Sequence, residues 1–247
     1  MRYEDSIVLI TGGASGLGKG IVEYLTARNA TVVSIDLNDT VLDGFKDQRK
    51  LRSIRANLFN DNFYSEVLPG LFNEYKFNVL INNAGILHNK PLVSFGSKGF
   101  SKLTNEDLDY VIRLNLTIPI MISREMAEHM IKNRRKGVII NISSISANGN
   151  IGQSAYSAAK AGLESFTKVI SKELGIWGIR AACVAPGYMD TKSTHDVMND
   201  EYLKSLIKSM PLRRLGSVEE IATGVGFIIE NDYYNGRTLA IDGGLTI

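Results

Sequence analysis

The sequence predicts an α/β fold, in which one parallel sheet of about seven strands carries helices on both of its faces. Short apolar runs typical of buried strands alternate with amphipathic helical stretches along the whole chain. The 247 residues are 44% hydrophobic, enough for one substantial core, and no linker or repeat divides them. We therefore expect a single domain over residues 1–247.

The first predicted strand, residues 6–10, leads into a glycine-rich turn and then into a helix that carries Ile21 and Leu25 on one face. In such a turn, Gly12 supplies the bend, Gly16 lets the backbone approach a diphosphate, and Gly18 lets helix and strand pack closely. The N–H groups at the start of the helix would face the phosphates. This pattern predicts a doubly wound Rossmann-type sheet that binds a dinucleotide.

The second predicted strand, residues 30–36, ends in Asp36, about 20 residues after the glycine turn, where a ribose-binding carboxylate is expected. Asp36 could accept hydrogen bonds from ribose hydroxyls, and it would repel a 2′-phosphate. Residues 39–52 are polar with spaced apolar residues and predict a short surface helix. A third strand over residues 52–58 would bring Asn57 to the adenine edge.

Residues 63–75 predict a helix that Pro69 and Gly70 interrupt, and residues 77–82 predict a fourth strand leading into Asn83. Because the carboxyl ends of parallel strands share one edge, the polar residues that follow these strands should converge there. Residues 86–103 predict a long loop. It either borders a substrate cleft or is a tolerated surface insertion, and its His88 has no partner visible in the sequence.

A long helix is predicted over residues 105–132, with Thr104 as its N-cap. Its apolar stripe is too wide for one buried face, so we expect the sheet on one side and a second subunit on the other. Asn115 and Pro119 predict a kink. The small residues around Ala158 and Gly162, on a later helix, also suit a subunit contact.

The remaining strands are predicted at residues 137–144, 178–185 and 237–241. Residues 192–210 have helical spacing and could form a movable lid. Ser217 begins another helix with a capping-box pattern. We assign the cofactor half of the domain to about 1–150 and the catalytic and substrate half to about 151–247.

Tyr156 and Lys160 are four residues apart on a predicted helix and so share a face. A free phenol, with a pKa of about 10, is a weak base near neutrality. A nearby ammonium and a cationic nicotinamide would together lower the tyrosine pKa by ~2–3 units. Tyr156 could then exchange a proton with a substrate oxygen held by the hydroxyl of Ser144.

Composition excludes several classes of function. The formal net charge is only +2, and the basic residues 132–136 fit the solvated end of a helix, so we expect no nucleic-acid partner. The single cysteine, Cys183, fits a buried strand thiol rather than a nucleophile. No apolar run approaches the ~20 residues of a membrane helix, and no signal pattern opens the chain. We expect a cytoplasmic protein without a membrane partner or a metal site.

Taken together, the motifs resemble the short-chain dehydrogenase/reductase family along essentially the full length of the chain. The residues that carry the resemblance are Thr11-Gly12-x-x-x-Gly16-x-Gly18, Asn82-Asn83-Ala84-Gly85, Asn115, Asn141-Ile142-Ser143-Ser144, Tyr156-x-x-x-Lys160 and Pro186-Gly187. The resemblance implies a catalytic tetrad of Asn115, Ser144, Tyr156 and Lys160. The backbone of Asn115 would help to hold a water that relays protons to Lys160. In many relatives the spacing to the tyrosine would select Ser143 instead, whereas the strand-end pattern selects Ser144.

The resemblance also implies a nicotinamide cofactor and a set of residues that bind it. Relatives that prefer a 2′-phosphate carry a basic residue before the second motif glycine or after the second strand. Ser15 and Asp36 occupy those places here, so NAD is favoured over NADP. The positive charge of Lys19 is the one feature that would favour NADP instead. The expected cofactor-binding residues are Gly12, Ser15, Gly16, Leu17, Gly18, Asp36, Leu37, Asn57, Leu58, Asn83, Ala84, Gly85, Tyr156, Lys160, Pro186, Gly187, Met189 and Thr191.

The expected reaction is the interconversion of a secondary alcohol and a ketone. Residues around Gln153 and Lys160 are similar to 3-oxoacyl-thioester reductases, and residues 86–103 and 230–236 to short-chain 3-hydroxyacyl-CoA dehydrogenases. A 3-hydroxyacyl or 3-oxoacyl thioester is therefore the first expectation. A sugar, polyol or other small alcohol is the alternative, and a non-catalytic NAD(H) sensor or scaffold is a third. The family further implies a homotetramer, with a homodimer as the alternative.

Overall fold

The computed structural model of the chain describes residues 1–38, 50–97 and 99–247. Its strands, in chain order, are β1 Ile7–Thr11, β2 Thr31–Asp36, β3 Leu51–Arg55, β4 Val79–Asn82, β5 Val93–Gly96, β6 Gly99–Lys102, β7 Gly137–Ile142, β8 Ile179–Pro186 and β9 Thr238–Ile241. Seven of them form one sheet in the order β3-β2-β1-β4-β7-β8-β9, and every neighbouring pair is parallel. This confirms the predicted fold class.

The α-helices are α1 Gly16–Thr26, α2 Leu68–Glu74, α3 Asn105–Ile112, α4 Ile118–Lys132, α5 Ser154–Glu173, α6 Lys192–Val197, α7 Asp200–Ser209 and α8 Val218–Glu230. Apolar side chains of α1 and α8 pack on one face of the sheet, and those of α2, α4 and α5 pack on the other. The sheet is therefore buried on both sides, which explains why its central strands are continuous apolar runs rather than alternating ones.

The strand order reverses between β1 and β4, which lie side by side at the centre of the sheet. After β1 the chain passes through α1 on one face and continues to β2. After β4 it passes through α4 on the other face and continues to β7, on the opposite half of the sheet. The two strands stay paired up to Thr11 and Asn82, and the loops that follow them leave in opposite directions, so a crevice lies between the loops. In parallel α/β sheets a crevice of this kind is where ligands bind.

Residues 86–103 differ from the predicted loop, because they contain a two-stranded antiparallel hairpin made of β5 and β6. Phe95 and Phe100 pair directly across it, with ring centroids 4.9 Å apart. Strand-forming residues on both sides of the glycines Gly96 and Gly99 are a sequence signal for a hairpin. The prediction of a loop did not take this signal into account.

The predicted interruption of the helix at residues 63–75 is also wrong. A π-helical turn, Phe63–Val67, runs directly into α2. Pro69 lies in the first turn of α2, a position that tolerates proline because N–H groups of a first turn have no acceptor within their own helix. Of the surface helix predicted for residues 39–52, residues 39–49 lie outside the described part of the chain, and Leu51 already belongs to β3.

At Asn115, where the sequence predicts a kink, the structure has a π-helical turn, Arg113–Thr117, between α3 and α4. The helix side of α4 that faces the sheet is buried, whereas Leu108 and Tyr110 on α3 and Val169 on α5 remain exposed in the single chain. A second subunit against these residues stays a prediction.

A buried network of polar side chains joins the centre of the sheet to α4 and α5. The side-chain N–H₂ group of Asn82 donates to the side-chain oxygen of Asn141 at 2.8 Å and to the Ser123 hydroxyl at 3.0 Å. The Asn141 amide in turn donates to the Thr167 hydroxyl at 2.8 Å, which lies 3.1 Å from the Cys183 thiol. Burial raises the pKa of that thiol to about 12, so Cys183 stays protonated, as expected of a structural cysteine.

We expect Asn141→Ala to lower the free energy of unfolding by about 3 kcal/mol, because it leaves the buried amide of Asn82 and hydroxyl of Thr167 each short of a partner. Urea denaturation measures the change. Asn62→Ala, which removes one exposed bond to Glu66, serves as the control and should stay within about 0.5 kcal/mol of the wild type. A loss below about 1 kcal/mol for Asn141→Ala would contradict the role assigned to the network.

Candidate active site

One cavity of about 640 Å³ opens at the carboxyl edge of the sheet, over the crevice between β1 and β4. Its lining includes every residue that the sequence predicts for cofactor binding or catalysis. These are Gly12, Ser15, Gly16, Leu17, Gly18, Asp36, Leu37, Asn57, Leu58, Asn83, Ala84, Gly85, Asn115, Ser143, Ser144, Tyr156, Lys160, Pro186, Gly187, Met189 and Thr191. The fold thus brings together residues that are as far apart in the chain as Gly12 and Thr191.

The glycine turn has the geometry that its sequence predicts. Gly12 and Gly16 adopt positive φ angles of 68° and 49°, which residues with a side chain rarely adopt. A Cβ atom on Gly18 would lie 1.9 Å from the carbonyl oxygen of Gly12, so only glycine permits this contact between helix and turn. A Cβ on Gly16 would meet nothing within 4 Å, so open space lies beside the start of α1.

Asp36 stabilises the glycine turn from the end of β2. One carboxylate oxygen accepts a hydrogen bond from the Ala14 N–H at 2.9 Å, and the other accepts one from the Asn38 N–H at 3.2 Å. The side chain is only half-buried, so it keeps acceptor capacity toward the cavity. The Lys19 ammonium, which could favour NADP, lies 3.7 Å from the Glu23 carboxylate one turn further along α1.

Asn83 fastens the end of β4 to the glycine turn. Its amide donates to the carbonyl oxygens of Gly12 at 2.7 Å and Thr11 at 3.1 Å. The Thr11 hydroxyl accepts from the N–H groups of Asn83 and Ala84. The two loops that flank the crevice therefore hold each other through side chain to backbone bonds.

Asn115 lies inside the π-helical turn and is fully buried. Its amide donates to the carbonyl oxygens of Ile86 and Val111, and its carbonyl accepts from the Ile86 N–H. The side chain thus holds the segment that follows Gly85 in place. The water relay that the resemblance implies for the Asn115 backbone stays a prediction.

Lys160 is 4% exposed and donates to the carbonyl oxygen of Ile142 at 2.7 Å. Its Nζ lies 5.6 Å from the centre of the Tyr156 ring, as the four-residue spacing on α5 predicts. Burial disfavours the charged form and lowers the lysine pKa to about 8. The ammonium is therefore present at neutral pH and can be lost in mildly alkaline solution.

The pKa of Tyr156 does not follow the expectation. Burial raises it, and the hydrogen bond with Ser144 opposes that rise. The Lys160 ammonium, 5.6 Å from the ring centre, donates its described hydrogen bond to the Ile142 carbonyl rather than to the phenol oxygen. The expected decrease also included the charge of a nicotinamide ring, which the chain itself does not provide.

The structure distinguishes the two serines at the end of β7. Ser143 is 3% exposed, and its hydroxyl donates to the Glu164 carboxylate at 2.8 Å. Ser144 is less buried, and its hydroxyl accepts from the Ser146 N–H at 3.1 Å. Both serines line the cavity, and of the two it is Ser144 that acts on the pKa of Tyr156, by opposing the rise that burial causes.

After β8 the chain forms the far wall of the cavity. A Cβ on Gly187 would lie 2.7 Å from the Cα of Asp242, so glycine is required for this close approach. Met189 is 5% exposed and packs over Gly216, so its side chain belongs mainly to the core rather than to a ligand surface. Thr191 caps α6 by accepting from the Thr194 N–H.

The structure adds lining residues for which the sequence predicts no role. Among them are the apolar or aromatic residues Leu87, Tyr110, Leu114 and Tyr188. Gln153, which the sequence places only in a motif similar to 3-oxoacyl-thioester reductases, also lines the cavity. It is 6% exposed, and its side-chain carbonyl oxygen has no hydrogen-bond partner among the described residues.

Residues 86–103 do border the cavity at their start, where Ile86 and Leu87 line it. The segment is tied to the rim by Asn89, which accepts from the Gln153 amide at 2.9 Å, and by Asp107, which pairs with Lys90 and lies 3.4 Å from the His88 ring nitrogen. The hairpin beyond them is exposed. Of the two alternatives for this segment, its base belongs to the cleft and its tip to the surface.

In the described part of the chain, no three histidine, cysteine, aspartate or glutamate side chains group closely enough to hold a metal ion. None of the helices described above is both long and apolar enough to span a membrane.

The sequence model of the short chain dehydrogenase family matches residues 6–202, which is most of the chain. The chain belongs to this family. The 3-oxoacyl-[acyl-carrier-protein] reductase of Thermotoga maritima is 34% identical over 256 aligned positions and covers the full length of both chains. The reductase of the same name from Vibrio cholerae is 32% identical and covers 99% of each chain. As a short-chain dehydrogenase, the protein is an oxidoreductase.

Solved structures of other short-chain dehydrogenases superpose closely on this chain. A 4-hydroxyisoleucine dehydrogenase in complex with NADH gives a TM-score of 0.87 at 27% identity, over 97% of this chain and 98% of that one. A putative gluconate dehydrogenase from Agrobacterium tumefaciens gives 0.88 at 27% identity, over 98% and 96%. These dehydrogenases therefore share the whole fold rather than the dinucleotide-binding half alone.

The buried charge of Lys160 should destabilise the protein at neutral pH. Its pKa of about 8 in the folded chain lies below the ordinary 10.5, so the folding penalty is full below pH 8 and shrinks as the pH rises from 8 to 10.5. We expect Lys160→Met to raise the free energy of unfolding at pH 7 by up to about 3 kcal/mol.

Urea denaturation at pH 7 and pH 9.5 tests this, with the gain expected to be smaller at the higher pH. Lys168→Met, an exposed lysine on the same helix, is the control and should show neither effect. A Lys160→Met variant that is less stable than the wild type at pH 7 would contradict the penalty assigned to the buried charge.

Proposed function

We propose that the protein is an NAD-dependent dehydrogenase that interconverts a secondary alcohol and a ketone, with Tyr156 as the acid/base. The observation that carries the proposal is the shared cavity, in which Ser144, Tyr156 and Lys160 face the glycine turn at the start of α1. A proton-transfer group and a dinucleotide cradle are thus within one site. The NADH complex of the similar 4-hydroxyisoleucine dehydrogenase supports the same reading of the cradle.

The residues of the cavity fit a dinucleotide. The open space beside Gly16 and the N–H groups of the first turn of α1, which have no acceptor within the helix, suit a diphosphate, and the half-buried Asp36 suits ribose hydroxyls. Lys160, Pro186 and Thr191 would hold the nicotinamide end. When bound, NAD supplies the hydride acceptor for alcohol oxidation, or the donor in the reverse direction.

The chain's own groups would handle the proton. The Ser144 hydroxyl can donate to the substrate oxygen and fix it beside Tyr156, which takes the alcohol proton or returns it to a ketone. Lys160 places a positive charge 5.6 Å from the Tyr156 ring, where it favours the phenolate as the proton leaves. A raised pKa keeps Tyr156 protonated, so the phenol carries the proton that a ketone takes up on reduction, and a bound cationic ring would lower this pKa and make the phenolate more accessible as a base.

The lining of the substrate end favours an acyl substrate. Leu87, Leu114 and Tyr188 offer apolar surface, and the buried Gln153 oxygen, which has no partner among the described residues, could accept from an N–H or O–H group of the substrate. A 3-hydroxyacyl or 3-oxoacyl thioester has this combination of a polar head and an apolar chain. The 3-oxoacyl reductases of Thermotoga maritima and Vibrio cholerae, which match over the full length, support the same class.

A small polar alcohol is the second candidate. It is favoured by the structural similarity to a 4-hydroxyisoleucine dehydrogenase and to a putative gluconate dehydrogenase. A screen by nicotinamide absorbance with acyl thioesters, hydroxy amino acids and sugar acids separates the two candidates. A protein that binds NADH but oxidises and reduces none of them would instead be a sensor or scaffold.

We expect Tyr156→Phe to lower kcat by 10²–10⁴, the usual contribution of a general acid/base, because it removes only the exchangeable proton. The dissociation constant for NADH, measured by fluorescence titration, should stay within about twofold because the ring and its packing remain. Tyr202→Phe, which removes an exposed hydroxyl elsewhere, is the matched control. Turnover retained in Tyr156→Phe would refute the assigned role.

Cofactor preference depends on the charge of Asp36. We expect Asp36→Asn to lower the ratio of kcat/KM for NAD to that for NADP by about tenfold or more, because repulsion of the 2′-phosphate is lost. The asparagine oxygen can still accept from the Ala14 N–H, so the glycine turn keeps this hydrogen bond. Asp36→Ala would lose the hydrogen bond as well as the negative charge. A wild-type enzyme that already prefers NADP would overturn this prediction.

A further inference from the structure

Glu164 lies on α5 one turn after Lys160, and its carboxylate reaches the end of β7. It accepts a hydrogen bond from the Ser143 hydroxyl at 2.8 Å. Glu164 is half-buried, and Ser143 is almost fully buried. A charge-assisted bond in such a place is shorter and stronger than one between neutral groups.

The bond acts next to the residue that contacts Tyr156. Ser143 is held through both its backbone and its side chain. Its N–H donates to the Val184 carbonyl at 2.7 Å, and its hydroxyl donates to the Glu164 carboxylate. Ser144 follows in an extended conformation, with φ −166° and ψ 154°. Successive side chains leave an extended chain in opposite directions, so a fixed Ser143 restricts the direction of the Ser144 hydroxyl.

Attachment of α5 to the sheet does not depend on Glu164. Lys160 already bonds to the Ile142 carbonyl, and Asn141 bonds to Thr167, both between β7 and α5. The apolar residues Leu163 and Ile170 bury the same helix. The contribution that remains for Glu164 is local, at the strand end.

We propose that Glu164 is a positioning residue that acts through Ser143 to aim the Ser144 hydroxyl at Tyr156 and at the substrate oxygen. The inference rests on the proposed function, because it requires Ser144 to hold the substrate. It assigns Ser143 a role of its own, as the link between the carboxylate and the serine beside the tyrosine.

Kinetics of Glu164→Ala, Ser143→Ala and the double variant test the proposal. Each single change should lower kcat by about tenfold and leave the dissociation constant for NADH within about twofold. The double variant should be no slower than either single one, because the two residues act in series. Glu164→Gln keeps an acceptor for the Ser143 hydroxyl and should stay within about threefold of the wild type. Glu173→Ala, an exposed glutamate on the same helix, is the control.

A readout besides turnover is the titration of the Tyr156 phenol, followed by ultraviolet difference spectra against Tyr156→Phe. Because the bond from Ser144 opposes the burial of the phenol, its loss should move this titration to higher pH in Glu164→Ala but not in Glu173→Ala. A role confined to stability would lower the melting temperature and leave the titration where it was.

The outcomes are distinguishable. A Ser144→Ala variant with wild-type kcat refutes the proposed function. An inactive Ser144→Ala variant beside Glu164→Ala with wild-type kcat and an unmoved Tyr156 titration refutes the positioning role alone. If Glu164→Ala does not fold, Ser143→Ala decides, and wild-type kcat in that variant also refutes it.

Discussion

The arrangement of the site depends on the buried polar network of Asn82, Ser123, Asn141 and Thr167, which ties α4 and α5 to the middle of the sheet. Each member must meet its partner, because an unpaired buried polar group costs about 1–3 kcal/mol. Apolar contacts alone would tolerate small shifts of a helix along the strands, whereas these bonds select one position. The network thereby fixes the distance between the strand ends and the helix that carries Tyr156.

The same strands that enter the network end in groups of the cavity. Asn83 follows a network residue directly and holds the glycine turn, and Ser144 follows another by three positions. The reactive side chains are therefore placed by strand ends and by α5, which suits a reaction that needs donor and acceptor groups in fixed positions. Burial of Lys160 is the energetic cost of this design, since a buried ammonium opposes folding.

The two ends of the cavity differ in how they are built. The dinucleotide end consists mainly of backbone at the glycine turn and of Asp36, so local sequence specifies it. The substrate end is assembled from the base of the hairpin segment, the π-helical turn and the start of α5. Because these pieces come from distant parts of the chain, their side chains decide substrate selection only once they have folded together.

The sequence by itself determined the parallel sheet, the glycine turn, Asp36 at a strand end and the shared face of Tyr156 and Lys160. These features follow from local periodicity and backbone sterics, which a short window of residues records. Only the tertiary structure decided that Ser143 turns to Glu164 while Ser144 meets Tyr156, and that burial raises the pKa of the phenol. The reason is physical: side-chain direction at a strand end and the degree of desolvation depend on groups far away in the chain, and no local pattern encodes them.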